Sequence, residues 1–166
     1  MKERNRNVYE GFMEKYPILF QDRTKPITQS CMCWGIDCPE GWLDILTNLC
    51  NKLELLNNTV CKENKVKIVA TQVKEKFGTL RFYFDLTPFW EEETDENTYN
   101  LIYDMVSDLI NYAEHKTSNV CQVCGKPFWY EKDKKVSKGW IGYYCEKCAT
   151  EYDVDVFEND EETEDE

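Results

Sequence analysis

The sequence predicts an α+β protein: helices packed on one face of a small antiparallel β-hairpin or sheet, followed by a C-terminal module built on paired cysteines and by an acidic tail. Three observations carry this. Apolar residues recur at helical spacing over Trp42–Leu56 and again over Tyr99–Ala113. Between these stretches, residues 66–86 alternate apolar and polar with period two around Gly78-Thr79. Four cysteines then stand in two C-x-x-C pairs, Cys121/Cys124 and Cys145/Cys148. The expected organisation is a core domain over residues 1–117, a small module over 118–150, and a disordered tail over 151–166.

Taken in order, Val8, Phe12 and Tyr16 repeat every fourth residue, with Tyr9 and Met13 beside them. This predicts a short amphipathic helix that Pro17 ends. Residues 21–38, polar and turn-forming with three cysteines, read as a loop. Trp42, Ile45, Leu46, Leu49, Leu53 and Leu56 predict a helix of four turns, opened by Asp37 or Pro39 and ended by Asn57-Asn58. Val66–Phe77 and Leu80–Leu86 predict two strands of an antiparallel hairpin. The first is apolar on both faces near its middle, so both faces are expected to be covered. Glu91–Asn97 reads as an acidic linker, and Thr94 or Asp95 as the cap of the last long helix.

The two cysteine pairs are separated by Gly125–Tyr144. That spacing is the pattern of a four-cysteine zinc site, since two residues between cysteines let both sulfurs reach one ion from a tight turn. Gly125, directly after the first pair, suits a positive φ there. Phe128-Trp129-Tyr130 and Trp140–Tyr144 flank a polar tip, so a hairpin is expected between the two pairs. A helix from Cys148 onward would make the module a treble clef; its absence would make it a zinc ribbon. Four thiolates leave no open coordination position, so the expected zinc is structural. About 30 residues are too few to fold by burial alone, and the metal supplies what burial does not.

The chain has 166 residues and a formal net charge of -12. Ten of its acidic residues lie in 151–166, where there is no Lys or Arg. The acidity is thus mostly a tail, solubilising or suited to docking on a basic partner. The remainder, near neutrality, excludes a broadly basic nucleic-acid-binding face. No stretch approaches the ~20 apolar residues of a membrane span, and the N-terminus lacks the apolar run of a secretion signal. A soluble cytoplasmic protein is expected, with thiols kept reduced.

Several weaker features remain. Lys132, Lys134, Lys135 and Lys138 at the tip of the module, near aromatics, are the candidate nucleic-acid contacts. Trp34, Asp37, Trp42, Lys76 and Arg81 are the candidate partner-binding residues; against this, both tryptophans suit the core and Asp37 suits a helix cap. Cys31, Cys33, Cys38 and Cys50 match no common metal spacing, and burial of the thiols is the simpler expectation. Glu63-Asn64-Lys65 with Asp44 matches only the bare E-x-K of some nucleases. His115 reads as a helix-end residue. Asn57-Asn58-Thr59 matches a glycosylation sequon, which an intracellular chain would not use. No phosphate-binding glycine loop, H-E-x-x-H or G-x-S-x-G is present, and no catalytic residue is assigned.

Three segments, Cys33–Trp42, Val69–Tyr83 (VATQVKEKFGTLRFY), and Cys121–Gly125 with Gly139-Trp140, resemble a family of small uncharacterised proteins encoded by bacteriophages and prophages. The resemblance spans roughly residues 33–148 and supplies no activity. It implies a phage accessory protein in a bacterial host cell. With the closed metal site and the missing catalytic motifs, it leads to a non-enzymatic binding protein acting on a host macromolecule, such as a nuclease or defence component. The alternative is a nucleic-acid-binding zinc-ribbon protein, such as a transcription accessory factor.

Overall fold

Strands β2 (Val66–Lys76) and β3 (Thr79–Pro88) form the expected antiparallel hairpin. The computed structural model describes residues 6–9, 11–88 and 94–157 of the chain. Residues 91–93 of the acidic linker and 158–166 of the tail lie outside them. Lys76 pairs with Thr79, so the loop is only Phe77-Gly78, with φ of 54° and 78°. Both residues are left-handed, as a two-residue turn matched to strand twist requires. For Gly78 this is free; for Phe77 it costs about 1–2 kcal/mol.

A β-bulge at Thr71 explains why β2 reads as apolar on both faces. Val66, Ile68 and Ala70 enter the core, the register shifts between Ala70 and Gln72, and the inward position passes to Val73. Val69 is also buried, apart from the main core cluster, so both faces are covered there. The core face of β3 is Leu80, Phe82 and Leu86.

Helices α1 (Leu43–Asn58) and α3 (Glu96–Thr117) pack on each other and on this hairpin. α1 buries Leu46, Leu49, Cys50 and Leu53; α3 buries Ile102, Val106, Ile110 and Ala113. Asp95 caps α3 by accepting the Thr98 N–H at 2.9 Å. A short helix α2 (Val60–Glu63) leads into β2.

The sheet edges are closed largely by side chains. On β3, Leu80 N–H donates to Thr117 Oγ1 and Phe82 N–H to Glu114 Oε1, both from α3. On β2, the wholly buried Asn57 takes the place of a neighbouring strand: it accepts the Ile68 N–H at 2.7 Å and donates to the Ile68 carbonyl at 3.0 Å. Ala70 N–H finds Leu19 O, and strand β1 (Ile36–Asp37) pairs in parallel with Val73-Lys74. An edge so occupied offers no template for another chain. The Asn57 side chain of the sequon is therefore structural.

Three expectations change. Residues 8–16 form two 3-10 turns, Arg6–Tyr9 and Met13–Lys15, because Gly11 interrupts them at φ 72°. Their aromatics Tyr9, Phe12 and Tyr16 still pack inward, edge-on or tilted to one another. The loop at 21–38 contains 3-10 turns at Gln21–Thr24 and Cys31–Trp34 as well as β1. The segment 151–157 is ordered: Phe157 N–H donates to Val136 O, Lys138 N–H to Asp155 O, and Val154 N–H to Ala149 O.

Candidate metal centre

The first cysteine pair follows α3 directly. Gly125 turns back at φ 73°, its N–H donating to Cys121 O, while Cys121 N–H donates to Lys126 O. A hairpin of β4 (Lys135–Val136) and β5 (Tyr143–Tyr144) follows, then helix α4 (Glu146–Glu151). Cys145 sits at the N-cap of α4 and Cys148 in its first turn. The knuckle, hairpin and helix thereby bring four sulfurs together.

All four Sγ atoms lie within 4.8 Å of one another, and Cys124 and Cys145 are 3.8 Å apart. With Zn–S bonds of about 2.3 Å, tetrahedral geometry sets sulfurs about 3.8 Å apart. The donor set therefore fits a tetrahedral metal ion and is compatible with zinc. Cys121, Cys145 and Cys148 are buried and Cys124 is exposed; Val123 and Phe128 pack against the cluster.

The thiols are not equivalent. Burial raises Cys121, opposed by the backbone N–H groups of Cys124, Cys145 and Val123. Burial also raises Cys148, helped by its thiol neighbours. Burial pushes Cys145 up as well, but the Cys148 N–H and the thiols of Cys148, Cys124 and Cys121 outweigh it, and its net shift is downward.

The metal module sits against the core at two places. Gly41 N–H donates to Gln122 O at 2.9 Å, and a Cβ on Gly41 would lie 2.2 Å from Cys121 O. Only glycine lets the knuckle approach this closely. At the tip of the β2–β3 hairpin, Glu75 accepts the Gly78 N–H through Oε1 and the Trp140 indole N–H through Oε2, at 2.7 and 2.9 Å. Trp140 stacks on Phe77 with centroids 6.1 Å apart, and a Cβ on Gly78 would meet the Tyr143 ring at 2.8 Å. Residue 41 thus touches the knuckle, and the β2–β3 tip touches Trp140 and Tyr143, at two separate places.

The hairpin differs from the expected one: its first strand is Lys135–Val136 and not Phe128–Tyr130. Lys132, Lys134 and Lys135 therefore precede or lie in β4 instead of forming its tip, and most of the four lysines are paired within the chain. Lys135 pairs with Glu146 at 3.0 Å and Lys138 with Asp155 at 3.1 Å. Lys134 lies 3.8 Å from Glu131 and 4.2 Å from the Tyr143 ring centroid, and Lys132 lies over Tyr130. A cleft of about 720 Å³ beside the cluster is lined by Cys124, Phe128, Trp129, Lys132 and Tyr152 among others.

The remaining sequence-picked residues are scattered. Trp34 is exposed, whereas Trp42 is wholly buried in the core and cannot meet a partner. Asp37 lies in β1, so it is not a helix cap; Lys76 is exposed, and Arg81 bonds Thr79 Oγ1 and the Leu80 carbonyl and lies 3.7 Å from Glu114. Among the described residues, Cys31, Cys33, Cys38 and Cys50 form no second cluster of potential ligands. Burial raises the thiol of Cys50 and pushes that of Cys61 up to about 11. Asp44 and Glu63 lie towards opposite ends of the α1–α2 run, and α1 alone separates their ends by about 20 Å. The His115 carbonyl receives the Ser118 hydroxyl and the Asn119 amide at the end of α3. No helix among the described residues is long and apolar enough to cross a membrane. Comparison of the chain with protein-family models, curated proteins and solved structures finds no match.

Proposed function

We propose that this chain is a non-enzymatic, zinc-stabilised binding protein of bacteriophage type whose partner is a host protein, such as a nuclease or defence component. The observation that carries this reading is the fate of the four lysines. Three of the four ammonium groups face carboxylates of the same chain, so little positive charge is left to hold a phosphate backbone. Exposed aromatics, Trp129, Tyr130, Trp140 and Trp34, remain as contact surface. The ordered helix after Cys145 favours a treble clef over a ribbon. The four-thiolate set, with no position left for water, suits a structural ion.

The test sets protein capture against nucleic-acid binding. The tagged full chain is used to recover proteins from nuclease-treated bacterial extract, and is titrated in parallel with single- and double-stranded DNA and RNA. The reading expects a host protein retained after nuclease treatment, and retained by a variant with Lys132, Lys134, Lys135 and Lys138 changed to Glu. Tight nucleic-acid binding at physiological salt, abolished by the same variant, would overturn it in favour of the nucleic-acid alternative.

A further inference from the structure

We infer that Cys124 is an oxidation site. A hydroperoxide reaching it through the adjoining cleft drives a disulfide between Cys124 and Cys145, which removes two of the four metal ligands and opens the C-terminal module. The inference rests on the structural-zinc reading above and adds a redox switch to it.

The first observation is access. Cys121, Cys145 and Cys148 are 0%, 6% and 4% exposed, whereas Cys124 is exposed. The cleft of about 720 Å³ is lined by Cys124, Cys145 and Cys148. Its Lys126, Lys132 and Lys147 are matched by Asp133, Glu146 and Glu151, so the cleft selects for neither sign of charge and admits a neutral solute such as hydrogen peroxide.

The second observation is the neighbouring sulfur. Cys124 Sγ and Cys145 Sγ are 3.8 Å apart, and both residues line the same cleft. Cysteines that respond to oxidants are held as thiolates, reached by solvent and set beside a second cysteine that resolves them. A bound metal keeps its cysteine ligands deprotonated, so coordination supplies the first condition and the geometry supplies the other two. Cys31 is the contrasting case. It is exposed, but among the described residues it belongs to no cluster of potential ligands, so its oxidation releases no metal.

In the first step the Cys124 thiolate attacks one oxygen of hydrogen peroxide. The O–O bond breaks, hydroxide leaves, and Cys124 becomes a sulfenic acid. The Cys145 thiolate then attacks the Cys124 sulfur and expels a second hydroxide as the S–S bond forms. Two thiolates have together lost two electrons, and the peroxide has become two hydroxide ions. Cys121 and Cys148 remain, half of a tetrahedral set, so the ion leaves. One cross-link restrains the chain between the two pairs far less than a four-coordinate ion does. The module therefore loosens, and the contacts of Trp140 with Glu75 and Phe77 are lost with it.

The test treats the metal-loaded full chain with hydrogen peroxide, after its zinc stoichiometry has been measured. Released zinc is followed with a chromogenic chelator, disulfides are mapped by peptide mass spectrometry, and hydrogen exchange is measured over residues 118–157. Zinc should be released together with a Cys124–Cys145 link and a loss of protection, and a thiol reductant with added zinc should restore the protection. Cys124→His keeps a metal-binding side chain without an oxidisable sulfur; it should hold zinc and release it at least tenfold more slowly. Cys31→Ser should release zinc at the wild-type rate. If Cys124→His fails to take up zinc, the wild-type peptide map decides alone. Zinc released with the disulfide elsewhere, or equally fast release by a zinc-loaded Cys124→His, would overturn the inference. Zinc present at the start but retained under peroxide sinks the switch and leaves the metal reading standing, whereas no zinc at the start sinks both.

Discussion

Replacing Asn57 by Leu removes the side chain that closes the β2 edge. Leucine fills a similar volume and suits the helix, so the transfer and propensity effects are small or favourable. What is lost is the pair of bonds to Ile68, at 2.7 and 3.0 Å, in a place with no exposure to water. Each stranded backbone group costs about 1–3 kcal/mol, so the variant should be destabilised by roughly 2–6 kcal/mol. Asn57→Asp should fall in the same range, because it keeps the acceptor for the Ile68 N–H but sets a carboxylate against the Ile68 carbonyl. The control is Asn58→Ala. Asn58 is exposed and bonds only the Glu54 carbonyl of its own helix, so a change within about 0.5 kcal/mol is expected. Urea unfolding at saturating zinc, with equal m-values required for the comparison, gives the numbers. A loss below about 1 kcal/mol for Asn57→Leu would refute the edge-closing role.

Gly41→Ala should lower both melting temperature and metal affinity, because its Cβ meets Cys121 O at 2.2 Å; chelator competition and calorimetry together check that the two fall as one. Asp95 is held below the usual carboxylate range by the Thr98 N–H and then its hydroxyl. A depressed folded value contributes stability above the unfolded value and loses it as pH falls through the folded one. Asp95→Ala should therefore lower the melting temperature near neutrality, with the difference from wild type shrinking below about pH 4. Removing residues 158–166 should leave the melting temperature unchanged, whereas ending the chain at Tyr152 should lower it, since Val154, Asp155 and Phe157 bond the module.

Much of this was legible in the residues. The long helices, the hairpin and the four cysteines are local patterns, and local patterns survive folding. Three kinds of feature were not legible. Short parallel pairing, as in Ile36–Asp37, has too few residues to show a period. A single inserted residue, Thr71, reverses the inward parity of a strand without changing its composition. Contacts between distant segments, such as Gly41 on the knuckle or Glu75 with Trp140, leave no spacing signal. Tyr9, Phe12 and Tyr16 show the reverse: the burial pattern was right, and Gly11 broke the helix expected to deliver it. The turn, expected at Gly78-Thr79, falls one residue earlier at Phe77-Gly78, and the left-handed φ of Phe77 emerged only from the backbone. The pairing of the four lysines was not legible, because charge read along a chain says nothing of which carboxylates fold back onto it.

The central claim is that Cys121, Cys124, Cys145 and Cys148 hold one structural zinc on which the C-terminal module depends. Native mass spectrometry of freshly purified protein, before and after chelation, with hydrogen exchange on both samples, tests it most directly. The account predicts one zinc per chain, none in Cys145→Ser, and loss of protection over residues 118–157 on chelation while α1 and the β2–β3 hairpin stay protected. A metal-free native protein, or a chelated one with residues 118–157 still protected, would contradict it.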